Sequence, residues 1–254
     1  MICRALLGLV FFAALAASAR AQDPPIAQGG PTASHGSIVW KALLVAGDDS
    51  IPAFDNAVRT LGGKLHWRGI AALRALTSRR AVRAAESIAT AENVAKALAE
   101  LKVGPGEGCL VFMTSHGTEQ GLVFERDRAN NRNLYPEDLG RALDAHCGQA
   151  PTVVVISGCH TGTFLREATQ RPNRIILTAA RREKVSFGCD FRREYTYFDG
   201  CLLGEFDRAA DWRELFDKTV LCIERLESAS GVERSEPQAY FGDAVAAIKL
   251  PGIR

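Results

Sequence analysis

The sequence predicts an α/β fold, a mostly parallel sheet with helices on both faces. Three observations predict it. Four short apolar runs, at residues 38–46, 109–114, 152–156 and 174–178, each end in a cluster of small or polar residues. Segments with helical periodicity and capping residues lie between them. The composition is that of a packed domain, with 254 residues of which 47% are hydrophobic, 24% charged and 7% aromatic. Near-continuous apolar runs read as strands buried on both faces. Strands alternating with helices make parallel βαβ units. Disordered, collagen-like and coiled-coil chains are excluded by composition. With 31 basic and 29 acidic residues the net charge is +2, which indicates neither nucleic acid nor an anionic membrane as partner.

Residues 1–21 read as a secretory signal peptide. Arg4 precedes an apolar run at 5–19, and Ala19-Arg20-Ala21 forms an A-x-A cleavage site. The run is shorter than the ~20 apolar residues of a spanning helix, so no membrane anchor is expected after cleavage. No Cys follows the site, which argues against a lipoprotein. Cleavage takes two of the 31 basic residues and no acidic one, leaving 29 of each sign. The expected location is the periplasm or the exterior, where disulfides form. Residues 22–36, rich in Pro, Gly, Ser and Ala, read as a flexible leader, and residues 37–254 as one domain.

Within that domain, the run at 38–46 is apolar except for Lys41 and ends at Gly47-Asp48-Asp49-Ser50. Pro52 opens a helix with Phe54, Ala57, Val58 and Leu61 on one face. Residues 62–89 alternate basic and apolar side chains and fit a strand plus a helix. Thr90 is an N-cap for a helix to about Leu101, and Gly104-Pro105-Gly106 breaks the chain. The run at 109–114 ends at Ser115-His116-Gly117, and residues 121–124 form an arm of a small hairpin. Pro136 starts a helix to about His146. The run at 152–156 ends at Ser157-Gly158-Cys159-His160, and that at 174–178 at Ala179-Ala180-Arg181. Helical periodicity returns at 211–226.

Ligands of an open parallel sheet bind beyond the carboxyl ends of its strands. Two strands here deliver reactive side chains to that end, His116 and Cys159, each flanked by glycine. A Cys and a His brought together in space are the minimum for thiol nucleophilic catalysis. An imidazolium, or a helix starting near Thr161, favours the thiolate. The N–H groups of Gly117 and Cys159 are candidates to hold a developing oxyanion. Taken singly, an inert core Cys and a simple Ser-His-Gly turn are the competing accounts.

Val111-Phe112-Met113-Thr114-Ser115-His116-Gly117 resembles the histidine motif of the legumain-type cysteine peptidases. Val155-Ile156-Ser157-Gly158-Cys159-His160-Thr161-Gly162 resembles their cysteine motif. Val45-Ala46-Gly47-Asp48-Asp49, Val185-Ser186-Phe187-Gly188-Cys189 and Thr196-Tyr197-Phe198 are similar to segments of a secreted bacterial subgroup. The resemblance spans residues 38–206 in the family's order. It implies a caspase-like three-layer sandwich, peptide or protein substrates, no cofactor and no metal. It also implies Cys159 as nucleophile, His116 as general acid and base, and Gly117 at the oxyanion site. Eukaryotic members recognise asparagine through acidic residues beside the catalytic Cys. Ser157 and His160 stand there instead, so asparagine preference is not carried over. Ser186 and Asp190 are candidate lining of the first specificity pocket, and Asp48 either faces the cleft or forms its turn.

Six cysteines remain once Cys3 is removed with the signal. Cys109 opens one strand and Cys147 shortly precedes the next, which places both at the sheet end opposite Cys159 and pairs them as a disulfide. Cys189, Cys201 and Cys222 allow one further bond and one leftover thiol, with reduced, buried cysteines as the alternative. His146-Cys147 and Cys159-His160 lack the paired spacing of a zinc site. Arg79, Arg80 and Arg83 read as a solvated face, and Arg181, Arg182 and Lys184 as exposed loop charge. Trp40, Trp67 and Trp212 read as packing residues. The expected activity is that of a secreted cysteine endopeptidase or, through the same acyl-enzyme, a transpeptidase. The alternative is an inactive binding or scaffold protein. A thiol redox protein is disfavoured because no C-x-x-C is present.

Overall fold

The computed structural model describes residues 38–70, 72–79, 84, 87–124 and 133–252. The expected signal peptide and leader, together with Arg80 and Arg83, lie outside the described residues. In chain order the elements are β1 Val39–Ala46, α1 Pro52–Trp67, β2 Leu73–Thr77, α2 Ala91–Leu101, β3 Glu107–Thr114, β4 Gly117–Thr118, β5 Gly121–Val123, β6 Asn133–Leu134, α3 Pro136–His146, β7 Thr152–Ser157, β8 Arg174–Thr178, α4 Tyr197–Glu205, α5 Trp212–Ser230 and β9 Gln238–Phe241.

Six strands form one sheet in the order β2-β1-β3-β7-β8-β9, parallel throughout except for β9, which runs antiparallel to β8. The strand period of two sorts side chains to opposite faces. Leu44, Phe112, Val155 and Leu177 meet Phe54 and Leu61 of α1, Phe198 and Leu202 of α4, and Trp212 and Leu215 of α5. Leu43, Val111, Met113, Val154 and Ile176 meet Val94 and Leu98 of α2 and Leu139 and Leu143 of α3. Helices therefore cover both faces, as a three-layer caspase-like sandwich requires. Each fully buried Leu contributes roughly 1.5–3 kcal/mol relative to an exposed one. The small antiparallel sheet β4-β5-β6 lies immediately after β3.

Local chemistry fixes the helix starts. Thr90 Oγ1 accepts from Asn93 N–H at 3.1 Å, and Asp211 Oδ1 from Glu214 N–H at 2.9 Å. Pro occupies the first turn of α1 and of α3. The structure joins Cys109 to Cys147, from β3 to the end of α3, and Cys201 to Cys222, from α4 to α5. Cys159 and Cys189 are free thiols.

Several expectations change. α1 runs through Gly62 and Gly63 to Trp67, because Leu61 and Leu65 still pack on the sheet and offset the poor helix propensity of glycine. Trp67 is not a packing residue. It is 89% exposed, standing on the last residue of α1 outside the buried face made by Phe54, Val58, Leu61 and Leu65. Residues 62–89 supply β2, with Thr77 bridging Ile88 beyond it. The segment at Thr161–Phe164 is one 3-10 turn, too short to supply a helix dipole to Cys159. α4 and β9 are absent from the sequence reading.

At the sheet end opposite His116 and Cys159, Arg174 opens β8 with a fully buried side chain. It donates to Asp144 Oδ1 at 2.6 Å and to Thr169 O at 2.8 Å. Removing one partner of a buried charge costs more than replacing the charge by an apolar group of similar volume. Asp144→Ala should lower the unfolding free energy by about 3 kcal/mol, and Arg174→Met by less. Urea denaturation of the two variants checks the order.

Candidate active site

The site forms where β3 and β7 end side by side. Thr114 and Ser157 are the last paired residues of the two strands, and Ser115 N–H donates to Ser157 O at 3.1 Å. His116 and Cys159 each stand two residues beyond that rung. The two turns touch. A Cβ placed on Gly117 would lie 2.0 Å from Cys159 O, and one on Gly158 2.6 Å from Ser115 O. Only glycine permits backbones to approach so closely.

The cysteine turn is stitched to the chain after β8. His160 takes a left-handed conformation at φ 60°. Its N–H donates to Lys184 O at 2.8 Å, and its Nδ1 lies 2.9 Å from Arg182 O. Gly162 N–H donates to Ala180 O at 2.7 Å. Ser186 meets the sulfur directly, with its N–H 3.3 Å and its O 3.5 Å from Cys159 Sγ. Cys159 N–H donates to no backbone carbonyl among the described residues. The histidine turn is held by Val123 N–H donating to His116 O at 2.9 Å and by Ser115 Oγ donating to Val123 O at 2.5 Å.

The remaining sequence candidates separate. Ser186 touches the thiol. His160 is half-buried beside it, with one ring nitrogen on the Arg182 carbonyl. Asp48 and Ser157 are fully buried, beneath the turns rather than on their surface. Asp48 Oδ1 accepts from Ser50 N–H at 2.7 Å, the geometry of a turn-forming Asp. Asp190 is exposed, and its Oδ1 caps a turn by accepting from Arg192 N–H at 2.8 Å. Arg181 and Lys184 form ion pairs with Glu183, Glu233 and Glu236 on the surface. Among the described residues, no group of three or more His, Cys, Asp and Glu is placed to hold a metal, and no helix is long and apolar enough to cross a membrane.

Asp199 escaped the sequence reading, and Cys189 is the thiol left over from the expected pairing. Asp199 on α4 is fully buried under the strand ends. Thr114 Oγ1 donates to its Oδ2 at 2.7 Å, while Oδ1 has no hydrogen-bond partner among the described residues. Burial pushes its carboxyl up to about 6, and the neighbouring hydroxyls of Thr114, Ser157 and Thr196 offset this only in part. Cys189 lies close enough to feel the charges of Cys159, Asp199 and Asp48. Burial first, and those charges next, push its thiol up to about 12, so it stays protonated at neutral pH. The Thr196-x-x-Asp199 spacing, with Asp199 N–H donating to Thr196 Oγ1 at 3.1 Å, is a capping signal that a sequence scan could find.

A carboxyl that binds its proton more tightly when folded makes the native state less stable as pH rises through the interval between the unfolded and folded values. Stability contributed through Asp199 therefore falls between about pH 4 and 6 and is level above. Asp199→Asn should remove that fall, gaining up to about 3 kcal/mol relative to the parent at pH 7. Urea midpoints of parent and variant at pH 4 and pH 7 test the sign. Gly117→Ala should separate the two turns and slow alkylation of Cys159 at least tenfold, because no side-chain motion relieves a backbone clash. Iodoacetamide kinetics read this directly.

The profile of the peptidase C13 family matches residues 88–247, which spans α2 to the segment after β9 and includes both turns. No curated protein matches the chain. The matched segment covers more than half of the sequence and holds the His116 and Cys159 motifs in one sheet. On this ground the chain belongs to the peptidase C13 family of cysteine-type peptidases.

Proposed function

We propose that the chain is an exported cysteine endopeptidase in which Cys159 is the nucleophile and His116 the general acid and base. The observation that carries this reading is the contact between the two turns, with a free thiol on one and an imidazole on the other. A free thiol has a pKa of about 8.5, and the thiolate is the attacking species. The Sγ proton passes to His116. The sulfur electron pair then forms a bond to the scissile carbonyl carbon, and the carbonyl π pair moves onto oxygen. The N–H groups of Gly117 and Cys159 hydrogen-bond that oxyanion. Its collapse breaks the C–N bond, and the amine leaves with the proton from His116. The thioester that remains is resolved by water, or by a second amine in transpeptidation. Ser186 keeps the sulfur at the cleft. Export is supported by the pattern of residues 1–21 and by the two disulfides, which suit an oxidising compartment. The resemblance of residues 45–49, 185–189 and 196–198 to segments of a secreted bacterial subgroup supports that subgroup.

Incubating residues 22–254 with a peptide library should give cleavage after a restricted set of residues, read by mass spectrometry. Cys159→Ala should abolish it while leaving the unfolding midpoint unchanged. Cleavage surviving in Cys159→Ala would sink the assignment. An added amine appearing in the products marks transpeptidation. His116→Ala should slow alkylation of Cys159 at pH 7 at least tenfold. A parent thiol no more reactive than an ordinary exposed cysteine points instead to a binding protein.

A further inference from the structure

The turn between β1 and α1 has no part in the chemistry above, yet it meets the imidazole. Ser50 Oγ lies 3.3 Å from His116 Nε2. Ser50 is itself held, because its backbone N–H donates to the fully buried Asp48. On another side of the ring, Phe54 in the first turn of α1 packs edge-to-face, with centroids 5.3 Å apart and planes at 87°. Val123 N–H pins the His116 carbonyl. One ring nitrogen is thus engaged by a hydroxyl, the ring is braced by an aromatic side chain, and its backbone is tied to β5.

We propose that Ser50 is a positioning residue for the His116–Cys159 pair, accepting a hydrogen bond from Nε2–H so that Nδ1 is the nitrogen that exchanges a proton with Cys159. The inference rests on the dyad reading of the preceding section. A serine hydroxyl can donate or accept, and the role of the base decides the direction. Nδ1 must be bare to take the Sγ proton, so the neutral ring carries its hydrogen on Nε2, facing Ser50 Oγ. Transfer of the proton from Sγ to Nδ1 makes the ring a cation with both nitrogens protonated. The bond to Ser50 is then charge-assisted and stronger. When Nδ1 gives its proton to the leaving amine, the ring returns to the same tautomer. Ser50 neither gains nor loses a proton. Asp48 acts one step further back, by fixing the turn that presents the hydroxyl.

The test compares Ser50→Ala and Ser50→Thr with the parent, with Cys159→Ala as the inactive control. Ser50→Ala should lower kcat/KM about tenfold, the loss of one hydrogen bond to a charged group, and should do so in kcat with KM within about twofold. Ser50→Thr, which keeps the hydroxyl, should restore kcat to within about threefold of the parent. The second readout needs no turnover. In Cys159→Ala at pH 8, where an ordinary imidazole is neutral, ¹⁵N spectra of labelled histidine should show His116 with its hydrogen on Nε2. Adding Ser50→Ala should turn that signal into a tautomer mixture. A dominant Nδ1–H tautomer in Cys159→Ala, or a Ser50→Ala kcat equal to that of the parent, overturns the proposal. A parent chain that cleaves no peptide overturns the peptidase reading, and the tautomer then decides the Ser50 bond by itself.

Discussion

The register between β3 and β7 is the constraint on which the site depends. Thr114 opposite Ser157 means that both strands leave the sheet at the same height, and the two turns meet only because they start level. A slip of one residue would exchange the faces of Val111 and Met113 with that of Phe112, sending each into the wrong helical layer. The core therefore enforces the alignment that the proposed chemistry needs. α1 and α4 press from one side, α2 and α3 from the other, and neither the His116 turn nor the Cys159 turn follows an edge strand. The last margin is taken up by Gly117, whose missing side chain leaves room for the Cys159 carbonyl.

Much of this is legible in the sequence, for identifiable reasons. The buried parallel strands are continuous apolar runs, so β1, β3, β7 and β8 announce themselves, and so do their ends. Thr90, Pro52 and Pro136 mark helix starts through capping and φ preference. The positions of Cys109 and Cys147 in their elements suffice to put them at one end of the sheet. What stays hidden has no local period. α4 is apolar on nearly every side and carries two glycines within it, so it shows no amphipathic stripe. β9 is short and half-buried, and its partner lies sixty positions away in the register Thr178–Gln238. Trp67 looks like core by residue type, but its angular position on α1 decides otherwise. Asp199 and Ser50 belong to the site only through tertiary contacts, and sequence spacing does not report those.

Two buried ionisable groups mark the two poles of the sheet in opposite ways. Arg174, at the strand starts, has a carboxylate partner and a backbone carbonyl, as a charge kept for structure should. Asp199, at the strand ends, accepts from Thr114 on Oδ2 and, among the described residues, has no hydrogen-bond partner on Oδ1. A buried carboxyl with a raised pKa marks a candidate functional group as much as a structural one. Its place beneath the His116 and Cys159 turns, with Cys189 close by, fits that pattern, although α4 carries neither of those two side chains. The helix that the periodicity misses is thus the one that lays an acid under the cleft.

The turns at the strand starts point the other way. Gly104-Pro105-Gly106 lies before β3, and the turn after α3 lies beside it, next to the Cys109–Cys147 bond. The full length of the sheet separates them from His116 and Cys159. An attachment made there, whether a fluorophore, a solid support or a fused partner, would leave the end that carries His116 and Cys159 open to solution, and the nearby covalent crosslink would hold the anchoring turns together under load.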